Sequence, residues 1–138
     1  MIRTLWGFST ALVCVFSACS HEPVTDRPPA VRMIQISDSV QPRTVYAKSG
    51  EEIRWQNLRP NPVRVGFLTR RLLDELGCEK GVATLFGEVS DVITIAPGES
   101  VSLCLLRSGD LQYNVWFDVE NPKGAISPTA TVHVEAGS

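Results

Sequence analysis

The stretch GDLQYNVWFDVENPKGAISPTATVHV, residues 109–134, decides the fold. Tyr113, Val115, Phe117 and Val119 alternate with Gln112, Asn114, Trp116 and Asp118. That period of two lets a strand line a core on one side and meet water on the other. TATVHV repeats the pattern, with Ala130, Val132 and Val134 inward and His133 outward. Between the two runs, ENPKGAISP contains Pro122, Gly124 and Pro128, residues that interrupt a strand and mark a loop.

Working upstream, the same alternation recurs. SVSLCLL places Val101, Leu103 and Leu105 on one face and Cys104 on the other, and VITI precedes it across a Pro-Gly turn. VRVGFL sends Val63, Val65 and Phe67 one way and Arg64 the other. EEIRWQNL alternates Ile53 and Trp55 with Glu52, Arg54 and Gln56, while RTVYAK and VRMIQIS read as further strands. Turn signals every 8–12 residues or so predict an all-β Greek-key sandwich. Trp55 and Phe117 are its expected aromatic anchors.

One stretch departs from this period. TRRLLDELGC spaces Leu72, Leu73 and Leu76 as a helix would, with Thr69 placed to cap the start and Gly77 to end it. The expectation is one short helix, about two turns long, inserted between strands.

The N-terminus reads as a leader rather than as part of the fold. Arg3 supplies a positive charge, and residues 5–18 form an apolar run of 14, shorter than the roughly 20 residues a membrane-spanning helix needs. Small residues Ser17 and Ala18 then precede Cys19. This resembles the lipobox of bacterial lipoproteins, with Phe16 in place of the usual Leu. The resemblance implies a signal peptide over 1–18 and lipid on Cys19, the first mature residue; an uncleaved membrane anchor is the alternative. Residues 19–30, CSHEPVTDRPPA, are polar and Pro-rich and suit a flexible tether. Ser20, where an Asp would signal retention in the inner membrane, favours the outer membrane by the same analogy. The folded domain is expected over 31–136.

The 138 residues fit one domain. The formal charge of −2, or −3 once Arg3 leaves with the leader, is too mild to point to nucleic acid or an anionic membrane surface as a partner. Of the four cysteines, Cys14 lies in the leader and Cys19 is the lipidation site, which leaves Cys78 and Cys104. In an oxidising compartment an even pair reads as a disulfide, the alternative being two buried thiols. Because Cys104 faces away from the expected core, the inserted helix or a loop outside the sheet is expected to reach it.

VQPRTVYAKSGEEIRWQN, the Pro-rich loop and VRVGF that follow, and ITIAPGESVSLCLLRSGDLQYNV together resemble a cupredoxin over nearly the whole domain. Copper-holding cupredoxins use a His after the Trp-x-Asn strand, a Cys at the end of the aromatic strand, and a His and usually a Met in the next loop. Thiolate, two imidazoles and a weak axial ligand form the trigonal copper site. By that resemblance the first His position falls at about Val63 and the Cys position at about Val115, and the following loop holds neither His nor Met. The departure implies no copper and no other cofactor. His21 in the tether, His133 and Met33 do not make up the set.

Nor does any His have a nearby Ser or Cys nucleophile, or any strand a Gly-rich phosphate loop, so no catalytic residue is expected and the chain reads as a non-enzyme. Two functions remain. One is a lipid-anchored, periplasm-facing envelope protein with a copper-free binding or structural module for another envelope protein. The other is an accessory subunit docking to an electron-transfer or copper-handling envelope complex. Arg59, Arg64 and Trp116 are the candidate partner contacts, since Arg and Trp are enriched in binding hot spots.

Overall fold

The computed structural model describes residues 30–80, 84–85, 88–89, 91–121 and 123–137. The leader, Cys19, His21 and nearly all of the tether therefore lie outside the described residues. Among the described residues there are twelve strands: β1 (Val31–Ile36), β2 (Val40–Gln41), β3 (Thr44–Lys48), β4 (Glu52–Asn57), β5 (Val63–Phe67), β6 (Leu76–Lys80), β7 (Thr84–Leu85), β8 (Glu88–Val89), β9 (Val92–Ile95), β10 (Ser100–Leu105), β11 (Gly109–Trp116) and β12 (Ala130–Glu135). They form two five-stranded sheets, ordered β2-β1-β4-β10-β6 and β3-β12-β11-β5-β9, and a small β7-β8 ribbon. Both large sheets are mixed, because β1 runs parallel to β4 and β3 parallel to β12 while the remaining neighbours are antiparallel.

The core lies between the two sheets and follows the alternation. Ile34, Ile36, Ile53, Trp55, Val101, Leu103 and Leu105 face it from the first sheet, and Val45, Val63, Val65, Ile93, Leu111, Tyr113, Val115 and Val132 from the second. Trp55, Phe67 and Tyr113 meet edge to face at its centre, with ring centroids 5.6 Å apart for Trp55–Phe67 and Trp55–Tyr113, the geometry the ring quadrupoles prefer. Burial raises the Tyr113 phenol to about 12, against a slight opposing effect of the nearby Trp55 indole. Neither the indole Nε1 nor the phenol has a partner at hydrogen-bonding geometry among the described residues.

Two expectations are corrected. Phe117 is only partly buried at the edge of the core, so Tyr113 rather than Phe117 is the second anchor. The inserted helix is a single 3-10 turn, Arg70–Leu72, followed by the extended strand β6. Thr69 makes no side-chain cap, and Gly77 lies inside β6, where an added Cβ would sit 2.8 Å from Leu106 Cδ2. The physical reason is competition for backbone partners. A two-turn helix makes few internal hydrogen bonds, whereas the exposed edge of β10 offers a row of them. Leu72 and Leu73 still reach the core from the turn, and Leu76 packs against it from the strand. The leucine spacing is thus met without a helix.

The disulfide is correspondingly placed. Cys78 and Cys104 are joined with their Cα atoms 4.9 Å apart, linking β6 to β10 as neighbours within one sheet, not through an element outside it.

The two ends of the sandwich differ in what they hold. Ala30 accepts a hydrogen bond from Glu52 N at the start of β4, and the starts of β1 and β4 pair in register, Val31 with Glu52. The end of β10 pairs there too, Cys104 with Glu52. The chain therefore comes into the domain at the rim that holds the β3–β4 turn and the β10–β11 loop. The opposite rim gathers residues 58–62, between β4 and β5, and 117–129, between β11 and β12.

Candidate functional site

The rim opposite the chain's point of arrival is organised by Asn57. It falls on the inward face of β4 with Ile53 and Trp55 and is fully buried. Its Nδ2 donates to Asn61 O (2.9 Å) and Ile95 O (3.0 Å), and its Oδ1 accepts from Arg59 N (2.9 Å). A buried amide survives only when its polar atoms are satisfied, and here satisfying them folds the 58–62 loop. A polar residue in phase with Ile53 and Trp55 was the signal for this role in the sequence, and alternation alone did not assign it.

Arg59 is held inward. Its Nη1 donates to Ser37 O (2.9 Å) and lies 3.4 Å from Asp38 Oδ1, and its guanidinium carbon stands 5.1 Å from the centre of the Phe117 ring. This cation–π contact ties three loops together, so Arg59 acts first as a brace. Residues Arg59, Asn61, Pro62 and Phe117–Glu120 line one open cleft of about 540 Å³. The structure thus brings the 58–62 loop and the start of the loop after β11 together at one end.

Arg64 and Trp116 are register partners on the outer face of the second sheet. Trp116 lies across Gly66, where an added Cβ would collide with the indole (Cη2 at 2.8 Å). Arg64, Val92, Trp116, Asp118 and Val119 line an apolar cleft of about 290 Å³. Among the described residues no helix covers the tryptophan, and the glycine that seats it was not singled out in the sequence because its partner is 50 residues away.

The positions that the resemblance assigned to copper ligands do not fit the metal. Val63 and Val115 are fully buried in the core and carry no lone pair to donate. They are not cross-strand partners either: Val115 pairs with Val65, and Val63 pairs with Ile95. The 117–129 loop is fastened by hydrogen bonds instead. Buried Ser127 accepts from Val115 N through Oγ (2.9 Å) and donates its own N–H to Val115 O (2.8 Å), and Asn114 Nδ2 donates to Ser127 O (3.0 Å). Phe117 N donates to Ala125 O (3.0 Å). Among the described residues there is no cluster of three or more His, Cys, Asp or Glu that could hold a metal.

The other residues considered are dispersed. Met33 is on the sheet surface. His133 Nδ1 lies 2.6 Å from Asp110 Oδ1 and its ring stacks on Tyr46 at 4.9 Å, on the outer face of the second sheet.

The fold and this rim define a cupredoxin-like domain with aliphatic side chains at the expected ligand positions. The solved structures it resembles include Cu(I) amicyanin variants. One aligns at 14% identity with a TM-score of 0.50, over 80% of this chain and 87% of that one. A reduced Cu(I) form at pH 4 aligns at 14% identity and 0.49 over the same shares, and a third Cu(I) variant at 15% and 0.48 over 76% and 82%. At this identity the likeness concerns the fold. No family model and no curated protein matches the sequence.

Proposed function

We propose that this chain is a lipoprotein of the bacterial cell envelope, anchored through Cys19, that uses a copper-free cupredoxin-like sandwich as a non-enzymatic binding or structural module. The observation that carries the reading is the rim itself: Val63 and Val115 are fully buried, and Ser127 and Asn114 fasten the loop by hydrogen bonds. A loop held this way has a defined shape without a metal. The partner is another envelope protein, met from the periplasmic side. The contact surface is Arg64 and Trp116, with Arg59 bracing the adjoining loop. Ala30 and the start of β1 lie at the other rim, so this surface can face away from the anchoring membrane, for which the Ser20 position favours the outer membrane.

Three measurements test the reading. Mass spectrometry of the mature N-terminus is expected to find acylated Cys19, and Cys19→Ser to leave the leader uncut or release the protein from membranes; an unmodified start at another residue overturns the anchor. Titration with Cu(II) is expected to produce no intense blue absorption, and one tightly held copper per domain overturns the copper-free module. Photo-crosslinking from positions 64 and 116 in intact cells is expected to trap an envelope protein that position 46 does not. Equal yields from all three positions refute the contact surface. Trapping of respiratory or copper-handling subunits would select the accessory-subunit reading.

A further inference from the structure

A second cleft, of about 380 Å³, lies at the rim where the chain comes in, lined by Thr69, Arg71, Leu72, Arg107, Ser108, Gly109 and Asp110. Its two walls are the 3-10 turn and the β10–β11 loop, and both are pinned. Leu72 is buried under Gly109, whose φ of 142° lies in glycine's range and whose added Cβ would stand 3.4 Å from Leu72 Cδ2. The turn is closed by Leu73 N donating to Arg70 O (2.7 Å) and held to β11 by Leu68 N donating to Gln112 O (2.8 Å). The loop is held by Gly50 N to Leu105 O (2.9 Å), Leu106 N to Glu75 O (3.4 Å) and Ser49 Oγ to Leu106 O (2.6 Å).

This packing brings Arg71 and Arg107, 36 residues apart in sequence, to one cleft. Neither has a carboxylate partner among the described residues, whereas the neighbouring Arg70 is paired with Asp91 at 2.8 Å. Thr69 Oγ1 accepts the Gln112 N–H at 3.3 Å, which leaves its own O–H to donate, and exposed Ser108 adds a second hydroxyl. The acid in the cleft, Asp110, directs Oδ1 to His133. Two guanidinium groups on separate walls of one cleft, which Thr69 and Ser108 also line, match an anion with oxygens in several directions. A planar carboxylate is satisfied by one fork, and a tetrahedral phosphate can take both.

We propose that this cleft binds a phosphate group. The phosphate could be that of a phospholipid headgroup or a free phosphate. The headgroup is within the site's setting, because Ala30 and the β3–β4 turn share this rim with Arg107, and basic groups close to an anionic surface bind it. The lipid source rests on the anchored reading above; the cleft does not.

The test uses the full chain purified in neutral detergent, at physiological ionic strength so that exposed charges are screened. One arm titrates inorganic phosphate and follows the amide resonances of Arg71 and Ser108–Asp110. The other measures binding to phosphatidylglycerol vesicles against phosphatidylcholine vesicles. R71Q/R107Q is compared with R43Q/K123Q, which removes the same charge at the opposite rim. Saturable binding in at least one arm, weakened tenfold or more by R71Q/R107Q and less than twofold by R43Q/K123Q, is expected. Free phosphate binding identifies the soluble source, and binding only to phosphatidylglycerol vesicles the headgroup. Equal effects of the two variants, or no saturable binding of either probe, overturn the site. Repeating the phosphate arm with Cys19→Ser separates failure of the anchor from failure of the cleft.

Discussion

Replacing Gly66 with Ala asks whether the outer face of the second sheet is shaped around one indole. Gly66 has no left-handed φ, so its backbone accepts alanine, and the loss of unfolded-state freedom alone would stabilise by about 0.4–1 kcal/mol. The opposing effect is steric. The new methyl would stand 2.8 Å from Trp116 Cη2 and closer still to Cζ3, against a preferred carbon–carbon separation of about 3.5–4.0 Å. The ring must therefore retreat by about 1 Å, away from the floor it covers beside Arg64 and Val92. Overpacking of this kind costs about 1–3 kcal/mol, which leaves a net loss of about 1–2 kcal/mol. Urea denaturation of the wild type, Gly66→Ala, Trp116→Ala and the double variant reads it directly. With Trp116 removed, Gly66→Ala should become neutral or stabilising, which makes the cycle non-additive by about 1.5–2.5 kcal/mol. An additive cycle, or a stabilised Gly66→Ala with Trp116 present, would refute the seating of the indole on the glycine.

Other consequences follow from the same geometry. Replacing both Cys78 and Cys104 with Ala opens a link spanning 26 residues and should lower stability by about 3.5 kcal/mol in the chain-entropy treatment; an unchanged denaturation midpoint would count against a formed disulfide. Asn57→Ala leaves Asn61 O, Ile95 O and Arg59 N without their side-chain partner, an expected loss of about 2–4 kcal/mol, and faster amide exchange across 58–62 should accompany it. Tyr113 has its phenol raised from 10.0 to about 12 in the folded state, so the fold favours the protonated form. That contribution is fully present below pH 10 and is lost as pH rises toward 12, by about 2–3 kcal/mol in all. Tyr113→Phe should flatten the alkaline limb of the stability curve, and an identical limb in both proteins would contradict the burial of the phenol.

The direction of most side chains in the main strands was legible in the sequence, because alternation is a property of one extended backbone and needs no knowledge of its neighbours; Phe117 and Val119 lie past the end of β11, where the alternation no longer holds. Val63, Val115 and Val132 had to face a core wherever their strands lay, and valine has no donor atom for copper in any fold. The all-β class and the cupredoxin resemblance rest on the same local regularities of strand and turn. What lay beyond the sequence was every feature that depends on sheet order. Leu72, Leu73 and Leu76 satisfy a helical spacing and equally a turn followed by a strand; only the free edge of β10, with backbone groups to pair, decided for β6. Arg59 looked like an exposed contact until Ser37, Asp38 and Phe117 were brought beside it. Trp116 needed Gly66 beneath it, and Arg71 met Arg107 only because Leu72 packs under Gly109. Each of these pairs joins residues from different strands or loops, and their meeting is set by cross-strand register and packing, which a one-dimensional pattern does not encode.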